Sequence, residues 1–390
     1  MPTYPNALHS KLPAAGTTIF SIMSALAAKH NAINLSQGFP DFDAAEELIS
    51  LVNQYMKKGM NQYAPMQGIL PLREGLAEKT ESLYGTIYNP ETEITITSGA
   101  TQAIYTAITS IIHEGDEVIV IEPAYDSYVP AIQLSGGIPI FVSLDANDHS
   151  VNWENVKKVV SPKTRMIIIN SPHNPAGSVL SKNDMHQLEK IVTGNDIILI
   201  SDEVYEHIIF DGIRHESVMH YPTLAKKSFV VFSFGKTYHT TGWKIGYCFA
   251  PSSLMTEFRK VHQFVVFSSN TAIQYALADY IQNKNYLELA AFYQQKRDYF
   301  NNLIKESRFK LMPAKGSYFQ CLDYSALSQE KDTDYAIRLT KEAGIASIPL
   351  SVFYHEGQDN KLLRFCFAKK KETLEAAAEK LCAIAETISE

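Results

Sequence analysis

The chain has 390 residues, of which 45% are hydrophobic and 20% are charged, and its formal net charge at pH 7 is −7. These values are typical of a globular protein with a large core, and the length predicts two domains. Acidic and basic residues are interspersed, so we expect no nucleic-acid partner. The four cysteines form no Cys-x-x-Cys pair and predict neither a zinc site nor a disulfide framework. The first residues lack a signal-sequence pattern and no apolar stretch approaches membrane-spanning length, which predicts a cytoplasmic protein without a membrane partner.

Short β-rich runs alternate with helical-length stretches from about residue 94 to residue 250. Several of the runs are continuously apolar, as is typical of strands that are covered on both faces. The alternation predicts an α/β fold whose large domain holds a mostly parallel, seven-stranded sheet. The predicted strands are Glu93–Thr97, Glu117–Glu122, Ile138–Ser143, Arg165–Asn170, Ile197–Asp202, Phe229–Phe234 and Ile245–Ala250.

After about residue 275 the pattern changes to that of a smaller α+β domain. A long helical stretch, Ala272–Ser307, leads to short strands at Tyr318–Leu322 and Leu362–Phe367 and to a terminal helix, Lys371–Ile388. We predict a large domain at 34–275, and a small domain made of residues 1–33 and 276–390. The N-terminal segment, Pro2–Ala32, is assigned to the small domain because both termini then lie together.

The segment Ser233–Tyr247, with the sequence SFGKTYHTTGWKIGY, is the most informative motif. It follows a predicted buried strand, and its Gly- and Thr-rich loop lifts Lys236 off the edge of the sheet. In a cleft, lost hydration and nearby cations lower the pKa of a lysine and make its amine nucleophilic. The alternative interpretation is a solvated surface lysine.

Two further motifs follow predicted strands and lie at the edge where parallel sheets bind ligands. Thr97–Ala103 opens a helix with small residues, which suits either an anion at the helix N-terminus or an ordinary helix cap. Ser171–Gly177, with the sequence SPHNPAG, fixes the backbone around Asn174 and directs its amide into the cleft, or else forms an ordinary turn.

Four residues in or just after predicted strands carry groups that call for a ligand or a partner. Asp202 ends a buried strand, and a buried carboxylate requires a cation, either a protonated heteroaromatic nitrogen or a structural ion pair. Tyr205 can direct its phenol at the same ligand, and Tyr125 follows another strand, as a stacking ring or a core tyrosine. Arg364 lies within an apolar strand, where its guanidinium group would pair either with the carboxylate of a ligand or with a carboxylate of this chain in an internal salt bridge.

Together these motifs resemble those of the class I and II aminotransferases, pyridoxal-5′-phosphate (PLP) enzymes of fold type I. The resemblance covers Asn34 to Phe365, with the motif residues in the family's order and at family-like spacings. Within the family, four segments are similar to the branch of methionine, kynurenine and glutamine transaminases, and to bacterial methionine aminotransferases. These segments are Gly38–Phe42, Tyr63–Gly68, Ser171–Gly177 and Ala346–Phe353.

The resemblance implies a role for each matching residue. Lys236, Asp202 and Tyr205 are the implied catalytic residues: Lys236 binds PLP covalently and moves a proton, Asp202 pairs with the ring nitrogen, and Tyr205 and Asn174 hydrogen-bond the ring oxygen. Tyr125 stacks on the ring. The implied phosphate ligands are Gly99, Ala100, Thr101, Ser233 and Lys244, together with Tyr63 of a neighbouring subunit, so the resemblance implies a homodimer with shared active sites. The implied substrate-binding residues are Arg364 for the α-carboxylate, Asn174, Gly38 and Phe20, and no metal is implied.

The implied reaction moves an amino group from a neutral amino acid to a 2-oxo acid in two half-reactions. No second arginine is placed to bind an acidic side chain, and the candidate pocket residues are mostly apolar or aromatic: Phe20, Phe39, Tyr125, Phe267, Ser268 and Asn270. The favoured donor is methionine, followed by phenylalanine, tyrosine, kynurenine and glutamine. The chain departs from the common family pattern at Lys244, where many relatives have arginine, and at Ser171 and Ala176.

Three other functions are alternatives to transamination. A cysteine-conjugate β-lyase would use the same PLP site and release pyruvate and ammonia without an added 2-oxo acid. A non-catalytic PLP-binding regulator would carry a DNA-binding segment, for which Met1–Ala32 is too short. A nicotinamide-binding enzyme would need Gly-x-Gly-x-x-Gly after its first strand, and that motif is missing here.

Overall fold

The computed structural model describes residues 8–384, and its elements follow the alternation predicted above. The strands are β1 (Ile33–Asn34), β2 (Ile94–Thr97), β3 (Glu117–Glu122), β4 (Ile138–Ser143), β5 (Thr164–Asn170), β6 (Ile198–Asp202), β7 (Ser228–Ser233), β8 (Gly246–Phe249), β9 (Lys310–Leu311), β10 (Phe319–Asp323), β11 (Ile345–Ala346), β12 (Ile348–Pro349) and β13 (Leu362–Cys366). The helices are α1 (Ile19–Lys29), α2 (Glu46–Lys57), α3 (Leu70–Tyr84), α4 (Ala100–Ile111), α5 (Tyr128–Leu134), α6 (Trp153–Val159), α7 (Lys182–Val192), α8 (Pro222–Ala225), α9 (Phe234–Thr237), α10 (Ser252–Val265), α11 (Thr271–Tyr280), α12 (Leu289–Leu303), α13 (Asp332–Arg338) and α14 (Lys371–Cys382).

The central sheet contains the seven predicted strands, each within one residue of its predicted ends. The strand order is β2-β8-β7-β6-β5-β3-β4. β8 is antiparallel to both β2 and β7, and the other neighbours pair in parallel. The prediction of a mostly parallel seven-stranded sheet is therefore confirmed, and the carboxyl ends of β2, β3, β5, β6 and β7 meet at one edge.

The apolar strands are buried on both faces because alternate residues enter two different cores. In β5, Ile167 and Ile169 belong to the larger core, while Met166 and Ile168 face a second core beneath α4 and α5. Successive side chains of a strand point to opposite faces, so a strand between two helical layers must be apolar throughout. This explains why these strands lack a polar-apolar alternation.

A smaller sheet and a short strand pair position the remaining site residues. The four-stranded sheet has the order β12-β13-β10-β9, and β1 pairs in parallel with β11. The N–H of Cys366 in β13 donates to the carbonyl of Leu35, 2.8 Å away. The segment that follows β1 is thereby held against β13 and runs on towards the edge of the central sheet.

The prediction of one long helical stretch over Ala272–Ser307 is wrong, because the chain bends between α11 and α12. Lys284 has a left-handed φ of +53° and separates two short 3-10 turns. Asn283 and Asn285 flank this bend, and asparagine favours turns over helix interiors. The bend allows both Ile281 and Tyr286 to be buried in the larger core.

The terminal helix is also shorter than predicted, because α14 ends at Cys382 and residues 383 and 384 are not helical. Residues 385–388 of that prediction lie outside the described residues, as do residues 2–7 of the predicted N-terminal segment and the outer ends of the predicted small domain. The domain boundaries stay a prediction, and β1 spans the proposed boundary at residues 33 and 34. No helix within residues 8–384 is long and apolar enough to cross a membrane.

Candidate active site

A cleft opens at the carboxyl edge of the central sheet. It lies where the predicted motifs follow β2, β3, β5, β6 and β7, so the fold brings together residues that are up to 145 positions apart, from Gly99 to Lys244. The predicted site residues that line it are Gly99, Ala100, Thr101, Tyr125, Asn174, Asp202, Tyr205, Ser233, Lys236 and Lys244. Sheets of this type bind ligands at this edge.

Lys236 lies in α9, the short helix that begins directly after β7. Its Nζ donates to the hydroxyl of Tyr318, 2.7 Å away, and to the carbonyl oxygen of Gly38, 3.2 Å away. Burial lowers the pKa of Lys236 to about 8, and the charges of Arg364 and Lys244 act in the same direction. The amine is therefore partly desolvated and more often neutral at pH 7 than the amine of a solvated lysine.

Asp202 ends β6 and is 4% exposed. Its Oδ2 accepts a hydrogen bond of 2.5 Å from the hydroxyl of Tyr128, and its Oδ1 accepts the N–H of Val204 at 3.4 Å. Within the described residues, no basic side chain forms an ion pair with this carboxylate. Burial raises the pKa of Asp202 to about 6, although the hydrogen bond from Tyr128 opposes the shift. The structural ion pair that was one interpretation of Asp202 is not formed, so a cationic ligand group would stabilise its charge.

The end of β2 leads into a positively polarised corner of the cleft. Gly99 has a left-handed φ of +80°, and no side chain caps the N-terminus of α4. The N–H of Ser98 instead donates to the side chain of Gln102. A Cβ at Gly99 would lie 3.2 Å from the Nζ of Lys244. Unpaired N–H groups beside an ammonium group suit an anion, and the ordinary-cap interpretation of this segment does not hold.

Arg364 lies in the middle of β13 and is 1% exposed. Its Nη1 donates to Oδ1 of Asn174 at 2.7 Å and its Nη2 donates to the carbonyl of Ser36 at 2.9 Å, while its Nε has no partner in the described part of the chain. The ring of Phe319 lies 3.9 Å from its Cζ. No carboxylate of residues 8–384 pairs with this guanidinium, so the internal salt bridge is not formed. The buried guanidinium can therefore still bind an anion beside Asn174, which lines the cleft.

Asn174 and Tyr205 complete the wall between these charged groups. The N–H of Asn174 donates to the side chain of Asn170, whose Nδ2 donates to the carbonyl of Asp202 at 2.8 Å. The ends of β5 and β6 are thereby fixed relative to each other. Tyr205 is 2% exposed, and its ring centroid lies 5.6 Å from the Nζ of Lys236.

Several predicted residues lie outside the cleft of this chain. Tyr63 is 81% exposed and lines a separate shallow cleft with Ser268 and Asn270, and its ring packs against Phe267. Phe39 is also exposed. Phe20 and Gly38 lie nearer the predicted site: the Cζ of Arg364 is 5.3 Å from the ring of Phe20, and Gly38 contacts Lys236 through its carbonyl.

Sequence reasoning missed two tyrosines. Tyr128 reaches Asp202 from the first position of α5, three residues after Tyr125, and a polar group at the start of an apolar helix was an available signal. Tyr318 reaches Lys236 across 82 positions of sequence, and no local pattern indicated that contact.

The geometry agrees with comparisons to known proteins. The family model described as "Aminotransferase class I and II" matches residues 30–381. The chain belongs to the class I and II aminotransferases. Methionine aminotransferase of Escherichia coli is 50% identical over 374 residues, which cover 95% of this chain and 97% of that protein. Human kynurenine–oxoglutarate transaminase 1 is 31% identical, with 91% and 93% covered.

Solved structures of aminotransferases have the same fold. The crystal structure of YbdL from Escherichia coli, described as having a methionine aminotransferase function, matches with a TM-score of 0.95 at 50% identity, covering 97% of this chain and 99% of that one. An aspartate aminotransferase from Thermus thermophilus matches with a TM-score of 0.89 at 27% identity, covering 97% of this chain and all of that one. This aminotransferase is therefore a PLP-dependent enzyme of fold type I that acts on amino acids and 2-oxo acids.

The residues present fit PLP in both charge and placement. The uncapped end of α4 and Lys244 suit the phosphate, the carboxylate of Asp202, which has no ion-pair partner within residues 8–384, suits a protonated ring nitrogen, and Lys236 offers an amine in the same cleft. Within residues 8–384, no group of three or more His, Cys, Asp or Glu side chains is arranged to hold a metal ion.

Proposed function

We propose that this aminotransferase takes its amino group from a neutral, sulfur-containing or aromatic amino acid, with methionine as the favoured donor, and passes it to a 2-oxo acid. Phenylalanine, tyrosine, kynurenine and glutamine are the further candidate donors. The observation that carries the proposal is the surroundings of Arg364: a buried guanidinium with no carboxylate partner, among the rings of Phe20, Phe319 and Phe353. The 50% identity to a methionine aminotransferase supports the same donor.

Lys236 has the central role in the proposed reaction. When bound, PLP supplies an aldehyde for covalent attachment and a ring that takes up the electrons of a bond broken at the α-carbon of the substrate. The Lys236 amine holds the cofactor covalently at rest, and after release it takes a proton from the α-carbon of the donor and returns a proton to the product. Its lowered pKa suits this role, because the neutral form accepts the proton.

Asp202 and its neighbours hold the cofactor ring in this proposal. Asp202 pairs with the ring nitrogen and keeps it protonated, and Tyr128 orients the carboxylate through its 2.5 Å hydrogen bond. Tyr205 and Asn174 donate to the ring oxygen, and Tyr125 stacks on the ring face. All except Tyr128 line the cleft. The buried position of Asp202 strengthens its interaction with a cation.

The phosphate is assigned to the corner at the start of α4. Gly99, Ala100 and Thr101 offer backbone N–H groups and a hydroxyl, and Ser233 and Lys244 line the same cleft, with the Nζ of Lys244 3.2 Å from a Cβ placed on Gly99. A lysine at position 244 offers a point charge without the fork of an arginine.

Substrate recognition is assigned to Arg364 and the segment beside it. The fork of Arg364 binds the α-carboxylate of the donor, oriented by Asn174. Gly38 and Phe20 border the same position, with the carbonyl of Gly38 bonded to Lys236 and the ring of Phe20 beside the guanidinium. A surface of aromatic rings favours an apolar substrate side chain over an acidic one.

We also propose that the active unit is a homodimer that works in the cytoplasm. Exposed apolar side chains support the dimer: Phe264 is 84% exposed, and Tyr63, which is 81% exposed, packs against Phe267 and lines a shallow cleft with Met56. A second copy that covered this region would bury these rings and bring Tyr63 to the phosphate of its neighbour.

Absorption spectroscopy tests the role of Lys236. The PLP-loaded protein is expected to be yellow, and Lys236→Ala is expected to abolish the visible band and transamination together. Lys226→Ala, which removes an exposed lysine, is the matched control and should keep both. Retention of the band in the Lys236→Ala protein would overturn the assignment.

A panel of amino acids tests the donor. Each is added to the PLP-loaded protein, and loss of the visible band reports the first half-reaction. Methionine is expected to react fastest and aspartate slowest, and a preference for aspartate would contradict the proposed pocket. A cysteine conjugate that yields pyruvate and ammonia without any added 2-oxo acid would reveal elimination instead.

A further inference from the structure

Tyr318 joins three separate parts of the chain at the Lys236 amine. Its side chain is completely buried and directly precedes β10. The Nζ of Lys236 lies 2.7 Å from its hydroxyl, which in turn donates to the carbonyl oxygen of Gly38. The amine in α9 is thereby linked to the smaller sheet and to the segment that follows β1.

The carbonyl oxygen of Gly38 determines the direction of this hydrogen-bond chain. The Tyr318 hydroxyl also hydrogen-bonds the side chain of Tyr205. The carbonyl oxygen of Gly38 can only accept, so the Tyr318 hydroxyl donates to Gly38 and accepts an N–H from Lys236. Burial raises the pKa of Tyr318 well above its ordinary value, so the phenol keeps its proton throughout the working pH range.

Both hydrogen bonds of the amine therefore use its N–H groups. A neutral amine has two N–H groups and one lone pair around a tetrahedral nitrogen. Tyr318 and Gly38 accept from these two positions at 2.7 and 3.2 Å. The lone pair is left to point away from both acceptors. Since Lys236 lines the cleft beside Asp202 and Tyr205, the free direction is that of the cleft.

We propose that Tyr318 is a positioning residue that orients the lone pair of the Lys236 amine into the cleft whenever that amine is not covalently bound. This inference rests on the proposed role of Lys236. Orientation matters at two moments: when the free amine first attacks PLP, and when the released amine accepts a proton from the substrate. In both, a correctly directed lone pair is the reacting group.

The neighbouring Tyr293 provides a matched control. It is also completely buried, and its ring centroid lies 5.7 Å from that of Tyr318. Its hydroxyl has no hydrogen-bond partner among residues 8–384. Tyr293→Phe therefore removes a buried hydroxyl from the same aromatic cluster without touching Lys236, whereas Tyr318→Phe removes the acceptor from the amine.

The test measures how fast the protein captures PLP covalently after the cofactor has been removed by dialysis. The Lys236 amine attacks the aldehyde carbon of added PLP and water leaves, and growth of the visible band gives the rate at each pH from 6 to 10. At the highest pH the amine is neutral in every variant, so that plateau reports orientation alone. Tyr318→Phe is expected to lower the plateau about 10-fold.

The midpoint of the pH profile gives a second, independent readout. Tyr318 accepts from the charged amine and stabilises it, so its loss is expected to move the midpoint to lower pH. A purely structural role would change neither plateau nor midpoint below the melting temperature, and Tyr293→Phe should match the unsubstituted protein in both. If Tyr318→Phe does not fold, Tyr318→Met fills the same space without the hydroxyl and takes its place.

The outcomes separate this inference from the proposed function. A Tyr318→Phe profile that matched that of Tyr293→Phe in plateau and midpoint would overturn the role of Tyr318 and leave Lys236 as the PLP-binding residue. Capture by a Lys236→Ala protein, measured alongside, would overturn the proposed function itself.

Discussion

Asp202 and Arg364 are ionisable side chains of opposite sign that the fold buries separately. Each is less than 5% exposed, and within residues 8–384 neither has an oppositely charged side chain in an ion pair. An isolated buried charge is unfavourable, so each of these residues destabilises the folded chain until a ligand group of the opposite charge binds beside it. At the scale of single residues, this burial supports the proposed pairing of Asp202 with the ring nitrogen of PLP and of Arg364 with a substrate carboxylate.

The carboxylate of Asp202 makes the stability of the cofactor-free protein depend on pH. Its folded pKa, about 6, lies above the ordinary value of 3.8. The folded state therefore binds more protons between these values, and its stability falls as the pH rises through this window. Above pH 6, the raised pKa of Asp202 lowers the free energy of unfolding by about 3 kcal/mol. Without PLP, Asp202→Asn should unfold at a higher temperature than the unsubstituted protein at pH 7, and the gap should close towards pH 4.

The same pair of proteins provides the control when PLP is added. PLP should stabilise the unsubstituted protein more than Asp202→Asn, because only the carboxylate pairs with a protonated ring nitrogen. Equal melting temperatures for the two cofactor-free proteins at pH 7 would contradict the raised pKa of Asp202.

Arg364 should control binding of the amino acid more than binding of PLP. Arg364→Ala removes the fork that is proposed to bind the α-carboxylate, and the KM for the donor is expected to rise about 100-fold, as for the loss of a charge-assisted bond. The visible band should remain. Arg214→Ala, an exposed arginine beside His220, is the control. An unchanged KM in Arg364→Ala would mean that another group binds the carboxylate.

At the scale of elements, the junctions between strands and the segments that follow them create the site. β5, β6 and β7 end in polar residues of the cleft, Asn170, Asp202 and Ser233, and β2 is followed two residues later by Gly99. Because parallel strands end at one edge, residues from four distant parts of the sequence meet there. The junction between β2 and α4 shows how backbone conformation contributes, since Gly99 has a φ that other residues rarely adopt.

Gly99→Ala should weaken PLP binding through this junction. The added methyl group would lie 3.1 Å from Cε and 3.2 Å from Nζ of Lys244. The alanine would also have to adopt the left-handed φ of Gly99. We expect the Kd for PLP to rise about 10-fold, as for the loss of one charge-assisted contact. Equilibrium dialysis of PLP measures the change.

Gly115→Ala is the matched control for that measurement. Gly115 also has a positive φ, +85°, but an added Cβ would meet nothing within 4 Å. Both variants should lose about 1–3 kcal/mol of stability from backbone strain. If both also weakened PLP binding equally, strain alone would explain the effect and the phosphate assignment would lose its support.

At the scale of the whole molecule, several large aromatic side chains are exposed on the surface of the single chain. Tyr63 and Phe267 contact each other at that surface, and the exposed Phe264 lies three positions before Phe267 in the sequence. Large exposed rings of this kind mark an interaction surface in globular proteins. The proposed homodimer would use it to complete each cleft with Tyr63 of the other subunit.

Mixed dimers test this arrangement directly. Lys236→Ala and Tyr63→Ala are each expected to reduce transamination when alone. In a dimer that contains one of each, one cleft combines an intact Lys236 with the intact Tyr63 of the partner, so unfolding and refolding the two variants together should restore activity. Mixing either variant with itself is the control. If mixing restored nothing, Tyr63 would act within its own chain or not at all.

The central sheet and most of the cleft were predictable because their signals are local. β3 and β4 coincide with their predicted ranges, since burial on both faces produces an apolar run that needs no knowledge of distant residues. The motif residues at the strand ends followed from the same pattern. The bend at Lys284 was not predictable in this way, because both sides of it have helical patterns and the bend depends on what Ile281 and Tyr286 pack against.

The amino-acid sequence by itself determined the α/β architecture, the strand order along the chain and the set of side chains offered at the strand ends, because these depend on periodicity and on neighbours in sequence. Only the tertiary structure decided that Asp202 and Arg364 are buried without ion pairs, that Tyr128 and Tyr318 hold Asp202 and Lys236, and that Tyr63 lies outside its own cleft. Burial, and with it each pKa shift, depends on residues far away in the chain that meet only when the sheet and its helices pack together.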